Sequence, residues 1–180
     1  MISNEIKNGI NGTIKIPGDK SISHRSIIVP SISSGVSEIK NILMSEDVIH
    51  TLKAFESLGV KIIKDKKNII IHGQGLNSLS QPKKNIYLGN SGTSARLLTG
   101  LLASQNFNSI IEGDKSLSSR PMNRIINPLK IMGAQFDNIS GNLPLNIIGR
   151  NLKNSEIIID IPSAQIKSGI LLAAINTEGK

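Results

Sequence analysis

Between Pro17 and Ser26 the chain reads PGDKSISHRS: a lysine, a histidine, an arginine and several hydroxyls directly after a Pro-Gly turn. Nothing in that stretch is suited to filling a core. Fixed cations beside hydroxyls suit an anionic ligand, and the pattern recurs. Ser21 is followed four positions on by Arg25, Gly92 by Arg96 and Ser163 by Lys167, each within a segment that turns apolar. The three basic residues are spaced a constant 71 positions apart.

Each apolar run follows a small-residue turn: Gly18-Asp19-Lys20-Ser21, Gly89-Asn90-Ser91-Gly92 and Pro162-Ser163-Ala164-Gln165. A helix that starts there presents unpaired amides and the positive end of its dipole, which is an anion site. A cation in the first turn opposes that dipole. Its presence three times in register points to an anion between Arg25, Arg96 and Lys167. The plainer alternative is that the small residues only cap helices and the basic ones face water.

Composition narrows the partners. The formal charge is +8, which favours anionic ligands. Three Phe, one Tyr and no Trp are too few to stack the bases of a single strand, so small phosphorylated molecules are expected rather than nucleic acid. The longest basic run, Lys64 to Lys67, reads as a solvated hairpin turn. Without cysteine there is no disulfide, thiolate metal site or cysteine nucleophile. No His, Asp or Glu cluster has metal spacing. No leader-like or membrane-length apolar run occurs, so the expectation is a soluble, cytoplasmic protein with no membrane partner. His24 reads as packing or orienting rather than as a general base, and His50 and His72 read as structural.

The elements that must position these residues follow from periodicity. Val48, Ile49, Leu52, Phe55 and Leu58 form one face of a helix. Ser45 is placed to cap it, Glu46 and Asp47 suit its first turn, and Gly59 ends it. VKIIKDKKNIIIHG reads as a hairpin. A helix over about Thr93 to Ser104 is apolar nearly all round and should be buried. RPMNRIINPLKIMG reads as a helix with Pro121 in its first turn, a kink at Pro128 and an end at Gly133. The chain is therefore an α/β (α+β) fold of repeated helix-strand-helix-hairpin units. Two are complete, about 17–85 and 86–150, and a third, 151–180, stops after its first helix.

PGDKSISHRS (17–26), LGNSGTSARLLTGLLA (88–103), GDKSLSSRPMNRIINPLKIMGA (113–134) and IPSAQIKSGILLAA (161–174) together resemble the 5-enolpyruvylshikimate-3-phosphate synthase family. The resemblance covers essentially the whole chain. It implies a pseudo-threefold arrangement of the units in an inside-out barrel, here incomplete, facing a second similar domain across the active-site cleft. Residues 1–16 would belong to that second domain and 17–180 to the N-terminal substrate domain. The implied reaction moves the enolpyruvyl group of phosphoenolpyruvate to the 5-hydroxyl of shikimate 3-phosphate and releases phosphate, within the shikimate pathway to chorismate and the aromatic amino acids. It needs no organic cofactor and no metal, and the family enzyme is expected to be monomeric.

The resemblance also distributes roles. Lys20, Ser21, Arg25, Ser163, Ala164 and Gln165 would hold shikimate 3-phosphate. Lys20, Asn90, Gly92, Thr93, Arg120 and Gln165 would hold phosphoenolpyruvate, with Lys20 also taking part in proton transfer. Arg96 and Lys167 remain repeat-derived anion contacts. Gly92 keeps the small residue associated with glyphosate binding, whereas Leu97 stands where many members have proline. Two other readings stay open: an enolpyruvyl transferase acting on UDP-N-acetylglucosamine, and an RNA-binding or RNA-end-processing protein of similar repeat architecture. By the repeat length the third unit lacks a helix and a hairpin, so the expectation is that these 180 residues alone do not turn over.

Overall fold

A computed structural model describes residues 11–65, 68–137 and 140–177. Residues 1–10 of the segment expected on a second domain, Lys66 and Lys67 of the basic turn, and the last three residues of the third unit lie outside them.

The chain runs α1 (Lys20–Ser31), β1 (Ser34–Ile39), α2 (Glu46–Ser57), β2 (Lys61–Asp65) and β3 (Asn68–Gln74). It continues with β4 (Ile86–Tyr87), α3 (Gly92–Ala103), β5 (Ser109–Glu112), α4 (Lys115–Ser118), α5 (Asn123–Ile131), β6 (Gln135–Phe136), β7 (Leu145–Ile148) and α6 (Ala164–Ala174). Helix, strand, helix and hairpin thus occur twice. The sheets repeat as well: β1-β3-β2 in the first, and β5-β7-β6 in the second with β4 added parallel to β5. In each, the last strand lies centrally between antiparallel neighbours. Gly73 and Gly149 close those central strands where a Cβ would meet backbone carbonyls, of Pro30 and Ser33 in one case and of Gln105 and Phe107 in the other.

The strand β3 shows why these sequences form half-buried sheets. Ile69, Ile71 and Gly73 are buried while Ile70 and His72 between them are not, the period-two alternation of a strand with one covered face. One aliphatic core joins both repeats, from Ile27 and Phe55 through Leu98 and Leu101 to Leu145 and Ile170. The helix α3 is its axis. Its residues are buried except Thr93 and Arg96, both partly exposed near its N-terminus. Against it α6 packs most closely. A Cβ on Gly100 would collide with the Gly169 carbonyl, and one on Gly169 would lie 2.7 Å from the Arg96 carbonyl oxygen.

Two local expectations change. The helix read over 120–133 begins only at Asn123, and a separate short helix precedes it. The Asp114 carboxylate accepts from the Leu117 amide at 2.7 Å and starts the single turn α4. Pro121 then precedes α5 instead of opening it. At α2, Ser45 occupies the N-cap but its side chain makes no capping bond, and its hydroxyl is buried without a partner among the described residues. Gly59 and Gly133 end their helices as expected, both at φ +90°, where glycine carries no Cβ penalty.

Candidate anion-binding site

The first turns of α1, α3 and α6 meet at one cavity of about 560 Å³. Lys20 reaches it from α1, Gly92, Thr93 and Arg96 from α3, and Ser163 and Gln165 from α6. Asn90 enters from the turn before α3, Arg120 from the turn after α4, Arg124 from α5 and Asp47 from α2. Seven of the residues singled out for substrate binding therefore share one wall: Lys20, Asn90, Gly92, Thr93, Arg120, Ser163 and Gln165. Ser21, Arg25, Ala164 and Lys167 do not line it.

The three-cation idea accordingly changes. Of Arg25, Arg96 and Lys167, only Arg96 lines the cavity. The reason lies in the register. Asp19, Ser91 and Ser163 occupy the three N-caps, and each side chain accepts from the amide three residues on, those of Ile22, Ser94 and Ile166. The helix starts therefore repeat every 72 residues, not 71. The basic residues fall at the sixth, fifth and fourth helical positions, and each one-residue offset turns a side chain about 100° around its axis.

Local bonds hold the site. Lys20 pairs with Asp47, Nζ to Oδ2 at 3.1 Å. Arg96 donates to the Gly92 carbonyl at 3.0 Å and to Gln165 Oε1 at 3.4 Å. Gln165 in turn donates from Nε2 to Thr93 Oγ1 at 3.1 Å, joining α6 to α3. Arg120 donates to Asn90 Oδ1 and to Ser116 Oγ. Arg124 donates to the Ile161 carbonyl at 3.1 Å, on the segment that leads into Ser163. A Cβ on Gly92 would lie 2.8 Å from one Arg96 nitrogen and 3.2 Å from one of Arg120. The missing side chain is what lets both guanidinium groups close over the first turn of α3.

The electrostatics are one-sided. Lys20, Arg96, Arg120 and Arg124 line the cavity, and among the described lining residues Asp47 is the one acid. The Arg96 guanidinium is held below its ordinary value, by burial first and then by the charges of Arg120 and Arg124. An anion placed among them would relieve that repulsion.

Asp47 and Arg124 escaped the sequence reading. Asp47 fits a first-turn helix acid, and its pairing with Lys20 spans 27 positions. Arg124 carries a faint local signal, since it follows Arg120 by four residues near the start of a helix. His24 is fully buried and Ser23 nearly so, so the stretch 17–26, read as containing nothing for a core, does contribute two polar side chains to the interior. His50 packs edge-on against Tyr87, and His72 lies on β3.

The sequence model of EPSP synthase (3-phosphoshikimate 1-carboxyvinyltransferase) matches residues 4–180. The 3-phosphoshikimate 1-carboxyvinyltransferase of Oceanobacillus iheyensis is 49% identical over 175 residues, covering 96% of this chain and 41% of the relative. That of Lactococcus lactis is 48% identical over 176 residues, covering 95% and 40%. The solved structure of EPSP synthase from Acinetobacter baumannii superimposes with a TM-score of 0.90 at 46% identity, over 93% of this chain and 39% of that one. The chain thus spans about 40% of the length of the curated relatives it matches.

Proposed function

The chain belongs to the EPSP synthase family, and we propose that it forms the wall on which phosphoenolpyruvate and shikimate 3-phosphate are held together for enolpyruvyl transfer. The observation that carries this reading is the meeting of three helix starts and four cationic side chains around one cavity. Both substrates are polyanions that must lie side by side. Fixed cations offset their mutual repulsion, and holding the pair converts a two-body reaction into an effectively intramolecular one.

The division of labour is the one the family resemblance implies, and the geometry is compatible with it. Arg120, braced by Asn90 and adjoining Gly92, is the fork for phosphoenolpyruvate. Ser163 and Gln165, which line the cavity, hold shikimate 3-phosphate; the resemblance adds Ser21 and Arg25, which are exposed on α1 outside the cavity lining. Gln165, held by Arg96 and Thr93, is assigned by the resemblance to both ligands. Attack of the 5-hydroxyl on the enol carbon needs the hydroxyl proton removed and a proton placed on the methylene carbon. Loss of phosphate then takes a proton back. Lys20, which lines the cavity and pairs with Asp47, is the group we assign to such transfers.

We also propose that the repeated units stand about a pseudo-threefold axis with their first helices pointing at the cleft. The recurring N-caps and matching sheet orders support this. Residues 1–16 we assign to the facing domain. The stretch 11–16 has no regular secondary structure and leaves Ile14 and Ile16 bare to solvent, which supports that placement.

Calorimetric titration of the 180-residue chain with shikimate 3-phosphate, with phosphoenolpyruvate and with an RNA oligonucleotide tests the reading. Saturable binding of shikimate 3-phosphate, weakened by Arg96→Ala, is expected. Binding of RNA alone would overturn it.

A further inference from the structure

Under the cavity a chain of buried polar side chains ties three helices together. His24 of α1 meets Thr51 of α2, Nδ1 to Oγ1 at 2.8 Å, and Ser94 of α3 at 3.3 Å. Thr51 and Ser94 bond each other at 2.7 Å, and Ser94 bonds the N-cap Ser91 at 2.7 Å. His24, Thr51, Ser91 and Ser94 are all fully buried. The chain ends on the site itself. Thr51 donates to the carbonyl of Asp47, whose carboxylate pairs with Lys20. Ser91 caps the helix whose first turn carries Gly92, Thr93 and Arg96.

The donors set the tautomer. With the Thr51 proton on the Asp47 carbonyl, Thr51 Oγ1 is left to accept from His24 Nδ1–H. Nε2 is then bare, and it has no partner among the described residues. A bare buried acceptor costs less than an orphaned buried N–H, so this neutral form satisfies the cluster best.

We propose that His24 is a positioning residue for the anion site: its neutral imidazole, acting through Thr51 and Ser94, locks the first turns of α2 and α3 so that the Lys20–Asp47 pair faces Gly92–Arg96. The ligand side of this inference rests on the reading of the cavity as a substrate site. The brace itself does not.

Two variants separate positioning from mere core filling. His24→Asn keeps an N–H close to where Nδ1 stands, whereas His24→Phe keeps an aromatic ring and loses the donor. On the 180-residue chain, shikimate 3-phosphate affinity by calorimetry should fall about tenfold in His24→Phe and stay within about twofold in His24→Asn. Amide hydrogen exchange gives a readout that needs no ligand. In His24→Phe the amides of Ile49 and Ala95, which close the first turns of α2 and α3, should exchange faster while those of β3 and α5 keep their rates. Uniform acceleration across the chain would show a global stability effect and overturn the proposal, as would wild-type affinity in a folded His24→Phe. Should the wild-type chain bind no shikimate 3-phosphate, the substrate reading fails. The exchange pattern then decides the brace alone, localised change upholding it and uniform change rejecting it.

Discussion

At the scale of single residues the site depends on which side chains are missing as much as on which are present. Gly92 allows two guanidinium groups to close on one helix start. In Gly92→Ala the added methyl meets the ends of flexible side chains, at 2.8 and 3.2 Å. Chain stability should therefore hold within about 0.5 kcal/mol while phosphoenolpyruvate binding weakens, read by chemical denaturation beside calorimetry. Arg120→Lys keeps the charge and loses the fork. In a longer enzyme carrying this segment it should raise the Michaelis constant for phosphoenolpyruvate about tenfold, more than that for shikimate 3-phosphate. An equal rise for both would argue against the partition. His24 carries a pH signature. Burial holds its pKa below the ordinary 6.5, with Asp47 favouring the charged form and Lys20 opposing it. The unfolded chain therefore binds the proton first as pH falls. The contribution is complete above about 6.5 and is lost as pH drops from there through the folded pKa. A denaturation series should show this slope in the wild type and a shallower one in His24→Asn.

At the scale of elements, a close helix contact aligns the site. Gly100 and Gly169 let α3 and α6 touch backbone to backbone, which brings Gln165 within reach of Thr93 and Arg96. Gly100→Ala would place a methyl against a carbonyl rather than a movable side chain. We expect a loss of about 1–3 kcal/mol in denaturant unfolding, with ligand affinity falling alongside it because the helices must separate. A well-tolerated Gly100→Ala with intact affinity would show that another contact sets the spacing.

For the whole molecule the question is where its charge acts. The excess of +8 is spread over the chain, but four of the cationic side chains share one partly enclosed cavity. Partly buried pairs are screened less than exposed ones. Shikimate 3-phosphate affinity should therefore fall only modestly between about 50 and about 200 mM salt, whereas an RNA-binding surface would lose orders of magnitude over that range. Isothermal titrations at several ionic strengths distinguish the two.

The repeat, the amphipathic α2, the buried α3 and most of the cavity wall were legible in the sequence, because periodicity, capping residues and small-residue turns are local properties. Lys20, Asn90, Gly92 and Ser163 announced themselves by their place at helix starts. The sequence resemblance alone pointed to Arg120. What escaped depended on distance along the chain or on rotation about an axis. The Lys20–Asp47 pair and the His24–Thr51–Ser94 cluster join residues 27 to 70 positions apart, and no local pattern marks them. The repeated cations match in spacing to each other, yet side-chain direction is counted from the helix start. A one-residue difference between the two periods left Arg96 inside the cavity and Arg25 and Lys167 outside. Local sequence thus dictates which helices exist and where they begin. Which faces of those helices meet is set by tertiary packing, because a helix presents every side chain to some direction and the backbone contact between α3 and α6 selects among them.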